Sequence, residues 1–146
     1  SDTLIFVGDV GITLDDLAIC LKLPACNKML VLGDKEYSNK NFTKSDFLAR
    51  NQELGIFDQV LENSVSEIAG REYFLSHKPL DCLVQDRPAL CGHVHGIWRS
   101  AQMPNGQPII NVGIDAWGGL VSEAFVEHQH NAITECYDAN ALPTKW

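Results

Sequence analysis

Two short apolar runs, Thr3–Val7 and Lys28–Leu32, each end in Gly-Asp, at Gly8-Asp9 and Gly33-Asp34. This repetition constrains the fold more than any other feature of the chain. Short β-rich runs closed by such dipeptides read as buried strands ending in loops. Between them, Leu14–Leu23 carries apolar residues at helical spacing behind Thr13 as a candidate cap, and Pro24 stops it. Strand, helix and strand joined over that length predict a parallel pair with a right-handed crossover. An α/β fold follows, in which two strands each deliver an aspartate.

The 146 residues suit one domain, 1–146, with a core that needs no disulfide or structural metal. At 45% apolar and 21% charged residues, the composition is that of an ordinary globular chain, so the fold must be sought in pattern. A net charge of −8 disfavours nucleic acid as a general partner and leaves it only the role of a phosphodiester substrate. A small phosphorylated ligand stays open, because a bound cation can reverse the local field. The cysteines (Cys20, Cys26, Cys82, Cys91, Cys136) are odd in number and form no Cys-x-x-Cys pair, which favours a reduced, cytoplasmic setting. No apolar stretch approaches the roughly 18 to 20 residues of a membrane span, and no secretory leader opens the chain, so no membrane partner is expected. The first residue is Ser1 rather than Met, which points to a processed chain or to residues upstream of it.

Further along, Ser45–Leu54 reads as a helix, with Thr43 or Ser45 as N-cap and Gly55 as its stop. Gln59–Glu62, Ser64–Ala69 and Glu72–Ser76 read as strands, the last two joined by a tight turn at Gly70-Arg71. Ala89–Cys91 follows, and Ile97–Gln102 is expected to pair with Ile109–Val112 through Pro104-Asn105-Gly106. Leu120–Val126 reads as one more strand and Asn131–Trp146 as a surface tail.

Four loops, each behind an apolar run, present Asp9, Asp34, His77 and the pair His93/His95, ligand types that borderline divalent metals prefer. Each alone is weak. Gly-Asp after a strand is ordinarily a turn or cap, and a single histidine is ordinarily a hydrogen-bonded structural residue. Their order makes the case, since three of the five histidines fall in these loops. An extended Gly92–Gly96 segment would point His93 and His95 to one side, with the flanking glycines allowing close approach.

The ordered motifs resemble those of the calcineurin-like metallophosphoesterases, in particular their small bacterial and phage members. Phe6-Val7-Gly8-Asp9, Val31-Leu32-Gly33-Asp34-Lys35-Glu36, Leu75-Ser76-His77-Lys78-Pro79-Leu80 and Cys91-Gly92-His93-Val94-His95-Gly96 are similar to the second to fifth motifs of that family. Asn111–Trp117 is similar to its closing segment. The resemblance implies two mixed β-sheets packed as a sandwich flanked by helices, with metals in the loops at one end. It implies Asp9 bridging two metals, Asp34, His77 and His93 on one of them, and His95 on the other. The implied activity is hydrolysis of a phosphomonoester or phosphodiester by metal-activated water.

The family's first motif, Asp-x-His, does not occur in this sequence, so the chain is expected to lack the first strand and half of one metal site. Expectation is thus one or two divalent ions, manganese, nickel, iron or zinc, with the site at Asp9, Asp34, His77 and His93 the more complete. Glu127-His128-Gln129-His130 offers a substitute ligand set or a solvated tail. Asp34 stands where the family has Asn, and Lys35 where it has an acid-donating histidine. A charged lysine can stabilise phosphate oxygens but is poorly matched to proton transfer; Lys35 is either that catalytic group, beside His95, or a solvated loop residue. Trp98 and Trp117 could wall a substrate or pack in the core, and Lys78, Arg87 and Arg99 are candidate phosphate contacts. Two functions remain: a metallophosphoesterase, or a catalytically impaired metal- or ligand-binding domain of the same type.

Overall fold

The computed structural model describes residues 2–10, 19, 21–37 and 42–136. The helix expected over Leu14–Leu23 lies mostly outside these residues, and Leu21–Leu23 form a turn and bend. The chain comprises two compact units, residues 1–62 and 63–146, each built on its own sheet.

In the first unit, β1 (Thr3–Val7), β2 (Asn27–Val31) and β3 (Gln59–Leu61) form a three-stranded sheet in that order, parallel throughout. Thr3 pairs with Asn27 and Val7 with Val31, so the loops carrying Asp9 and Asp34 leave from one edge. Leu30 and Val31 are completely buried, as expected of a central parallel strand covered on both faces. A 3-10 turn, Lys35–Tyr37, follows β2. Helix α1 (Lys44–Leu54) takes Thr43 as its cap, because a reciprocal pair forms there. Asp46 N–H donates to the Thr43 hydroxyl at 3.2 Å and Thr43 N–H donates to the Asp46 carboxylate at 2.7 Å. The Thr43 N–H, and then the Thr43 hydroxyl donating at 2.7 Å, hold the Asp46 carboxyl below its ordinary range. Beyond the left-handed cap at Gly55, the Asn51 amide accepts from Phe57 N at 2.8 Å and donates to Phe57 O at 3.0 Å, fixing the entry to β3. Phe47, Ile56 and Phe57 pack with Leu30 and Leu32.

The second unit holds β4 (Ser64–Ile68), β5 (Arg71–Ser76), β6 (Ala89–Cys91), β7 (Ser100–Gln102) and β8 (Pro108–Asn111), in the order β4-β5-β6-β8-β7. Strands β5, β6 and β8 are parallel, and β4 and β7 are antiparallel edges. Among the described residues one sheet is therefore mixed and the other parallel, where two mixed sheets were expected. The β4–β5 turn is Ala69-Gly70 rather than Gly70-Arg71, because Arg71 already pairs with Ile68. Both turn residues lie in the left-handed region (φ 51° and 73°), the requirement of the two-residue turn whose twist suits a hairpin. The β7–β8 hairpin closes through Pro104-Asn105-Gly106 as expected, but Ile97–Arg99 remain outside β7. Two single-turn helices, α2 (Pro79–Cys82) and α3 (Ile114–Trp117), follow β5 and β8.

Helix α4 (Glu123–Cys136) replaces the expected strand at Leu120–Val126 and the tail expected from Asn131, of which residues 137–146 lie outside the described part. Phe125 N–H donates to the Ser122 hydroxyl at 3.2 Å, and Val126, His130 and Ile133 are buried at helical spacing. His130 is therefore neither a solvated residue nor a free ligand. An Arg71 guanidinium can only donate, so His130 Nε2 accepts from it, and Nδ1 carries the proton towards the Tyr73 hydroxyl at 3.0 Å. Burial, and then the Arg71 charge, hold the His130 pKa below its ordinary value of 6.5. A depressed folded pKa means that the unfolded chain binds the proton first as pH falls. The stability that His130 contributes is thus full above about pH 6.5 and is lost as pH falls towards the folded pKa. Thermal midpoints should drop more steeply between about pH 7 and pH 5 in the native protein than in His130→Gln; parallel curves would contradict this arrangement.

Candidate functional site

Asp9, Asp34 and Lys35 belong to the first unit, and His77, His93 and His95 to the second. In the first, Gly8 and Asp9 both take left-handed conformations (φ 80° and 52°), which turns the chain sharply off β1. The Asp9 carboxylate accepts from Lys35 N at 3.0 Å, tying the two loops together. Gly33 makes their approach feasible: a Cβ there would lie 2.4 Å from Asp9 N and 2.9 Å from Gly8 Cα. Asp34, half-buried, follows directly. The Lys35 side chain is exposed.

Glu36 completes this corner and was not singled out in the sequence. It is 1% exposed, and its two oxygens accept from Val10 N and Gly33 N, each at 2.6 Å. One buried carboxylate thus satisfies a donor from each loop. The only sequence signal is an acidic residue placed just behind a strand-closing Gly-Asp.

In the second unit the parallel register does the positioning. Ser76 pairs with Cys91 and Cys91 with Asn111, so β5, β6 and β8 release their following loops at one edge. The carboxyl ends of parallel strands are where open α/β sheets place ligands. His77, 3% exposed, follows β5, and its carbonyl accepts from Gly92 N at 3.1 Å. His93 then lies beside it. Its Nδ1 is 3.1 Å from His77 Nε2, with ring centroids 5.0 Å apart and planes at 80°.

The Gly92–Gly96 segment is not extended, so the condition for aligning its two histidines is not met. His93 and His95 have φ of 67° and 48°, and Ile97 N–H donates to Val94 O at 3.0 Å. Strand alternation therefore does not align the two imidazoles. Val94 is buried between them in sequence, and the turn sends His95 to a different partner: its Nδ1 is 2.6 Å from an Asp115 carboxylate oxygen. Asp115 is the second group that sequence reading did not assign.

The imidazole pair fits a metal. A zinc ion sits about 2.0–2.1 Å from an imidazole nitrogen, so two such ligands lie between about 2.8 Å apart at an octahedral angle and about 3.4 Å apart at a tetrahedral one. The 3.1 Å between the His77 and His93 nitrogens falls within that interval. His77 and His93 are among the residues whose ligand atoms can hold a metal ion. Burial pushes the Cys82 thiol up to about 12, aided by Asp81, and holds Cys91 well above its ordinary value, so without a metal both are packed, protonated thiols.

The other candidates separate cleanly. Trp98 packs on the core of the second unit and Trp117 lies edge-on to Phe125 at 4.7 Å, so both serve packing. Arg99 donates to Ala116 O at 2.9 Å and covers the Trp117 ring, and Arg87 meets Glu72 and Asp86. Lys78 is the exposed residue ahead of α2. Among the described residues no helix is long and apolar enough to cross a membrane.

No family model and no curated protein matches the chain. Among solved structures, a protein of unknown function from Aquifex aeolicus is similar to it, with a TM-score of 0.58 and 22% identity over 87% of this chain and 75% of that one. That likeness shows a shared fold and nothing of activity. A protein described as a novel archaeal phosphodiesterase aligns with a TM-score of 0.49 and 18% identity over 80% of this chain and 70% of its own, a likeness too slight to carry an argument.

Proposed function

We propose that the chain is a metal-dependent hydrolase of a small phosphomonoester or phosphodiester, with His77 and His93 as ligands of a divalent cation. The observation that carries this reading is the His77–His93 pair, two imidazole nitrogens at a ligand-to-ligand distance where parallel strands end. The order of the motifs around Asp9, Asp34, His77 and His93/His95 supports it. A bound divalent ion supplies charge neutralisation on phosphate oxygens and a water acidic enough to attack near neutral pH. The chain's own residues do the rest. His77, buried and anchored through its carbonyl, fixes one ligand direction. Lys35, exposed beside Asp34, is a point charge for substrate oxygens, and His95 is the remaining ligand or proton-handling group.

Hydrolysis of p-nitrophenyl phosphate or its bis-ester should require manganese, nickel or zinc and stop on chelation. His93→Ala should lower it by more than about a hundredfold, beyond the loss typical of an outer-shell ligand partner. Turnover that survives His93→Ala would refute the proposal.

A second reading, metal binding without turnover, rests on Lys35 standing in place of a histidine. One tightly held ion with no activity on a phosphoester panel would favour it. Activity gained in Lys35→His would speak against it.

A further inference from the structure

We infer that Asp115 is a positioning residue for His95, holding its imidazole with the proton on Nδ1 and leaving Nε2 as the lone-pair nitrogen for a divalent cation. The inference rests on the hydrolase reading for its consequence, but its geometry belongs to the second unit alone. An ionised carboxylate accepts and cannot donate, so the 2.6 Å contact from Asp115 Oδ2 to His95 Nδ1 places the ring proton on Nδ1. Metal-binding histidines commonly give their second nitrogen to such a carboxylate, which fixes tautomer and ring direction.

Both side chains are well exposed, 71% for His95 and 63% for Asp115, and an exposed ion pair by itself holds little in place. Here the backbone beneath the pair is fixed. Asn111, 0% exposed, donates from its amide to His95 O at 2.6 Å and to Trp98 O at 2.8 Å, and its side-chain oxygen accepts from Gly113 N at 2.9 Å. One buried residue thus binds the loop of His95 to the start of the helix that carries Asp115. A Cβ on Gly96 would lie 3.3 Å from Asp115 O, so the two segments are also in direct contact. Both partners therefore reach each other from anchored backbones.

The test is nitrogen-15 NMR of the histidine rings, with His95 assigned by its loss in His95→Gln. In the native protein His95 should be the Nδ1–H tautomer. In Asp115→Asn, whose amide can donate to Nδ1, it should shift towards Nε2–H while the denaturation midpoint stays native. Metal-dependent hydrolysis should fall about 10- to 100-fold. A native Nε2–H ring, or a ring unchanged in Asp115→Asn, overturns the pairing. A changed ring with unchanged hydrolysis overturns the functional role. If the native protein hydrolyses nothing, the hydrolase reading falls, and the ring spectra still decide the pairing.

Discussion

Gly33→Ala should destabilise the protein by about 3 kcal/mol or more and displace Asp9, the largest effect expected of adding one methyl group to this chain. The added carbon would sit 2.4 Å from Asp9 N, 2.5 Å from Asp9 Oδ1 and 2.9 Å from Gly8 Cα. Two of these three atoms are backbone, so no rotamer change relieves the clash. The β1 loop must move away from the β2 loop. That movement breaks the bond from Lys35 N to Asp9 and strains the Glu36 carboxylate, which bonds Gly33 N and Val10 N together. Gly119→Ala is the control, since nothing lies within 4 Å of its added carbon, and it should stay within about 0.5 kcal/mol of native. Urea unfolding of the two variants checks this, and equal midpoints would contradict the packing of the two loops.

Asn111→Ala should cost about 3–4 kcal/mol, because it removes the shared partner of His95 O, Trp98 O and Gly113 N in one step. A partner lost from a buried polar group costs about 1–3 kcal/mol, less where water can replace it. The strand end itself should survive, since Asn111 N–H still donates to Arg99 O at 2.8 Å and the Trp117 indole still reaches Asn111 O at 2.5 Å. Asn111→Asp keeps the acceptor for Gly113 N but turns both carbonyl contacts repulsive, so it should be no better than alanine. Guanidinium unfolding measures both. An alanine variant within about 1 kcal/mol of native would mean that the side chain is not the clamp its bonds imply.

Much of the fold was legible where one local rule decided it. The Gly-Asp dipeptides after Thr3–Val7 and Lys28–Leu32 marked strands that do end there, and Thr43 and Gly55 marked the ends of α1. Legibility failed where the partner was distant. Leu120–Val126 is apolar enough to read as a strand, and the buried stripe that makes α4 a helix includes His130, whose burial depends on Tyr73 and Arg71 far back in the chain. Parallel pairing throughout the first sheet likewise depends on β3, which a sequence pattern cannot assign to a neighbour.

The candidate site divides in the same way. Asp9, Asp34, His77 and His93 were singled out as residue types at the ends of apolar runs, which is a local property. The conformation of Gly92–Gly96 was missed, because alternation assumes an extended chain and both histidines are left-handed. The Asp115 partner of His95 lies 20 residues away and the Glu36 clamp reaches Val10 across 26. Both are set by tertiary placement, to which neither spacing nor composition responds.

The central claim is that His77 and His93 hold a divalent cation, and an elemental count of metal per chain tests it most directly. After equilibration with manganese or zinc and removal of free ion, the native protein should retain at least about one ion per chain, and His77→Ala and His93→Ala should each lose it. A native protein that retains no metal, or variants that retain as much as the native chain, would contradict the account.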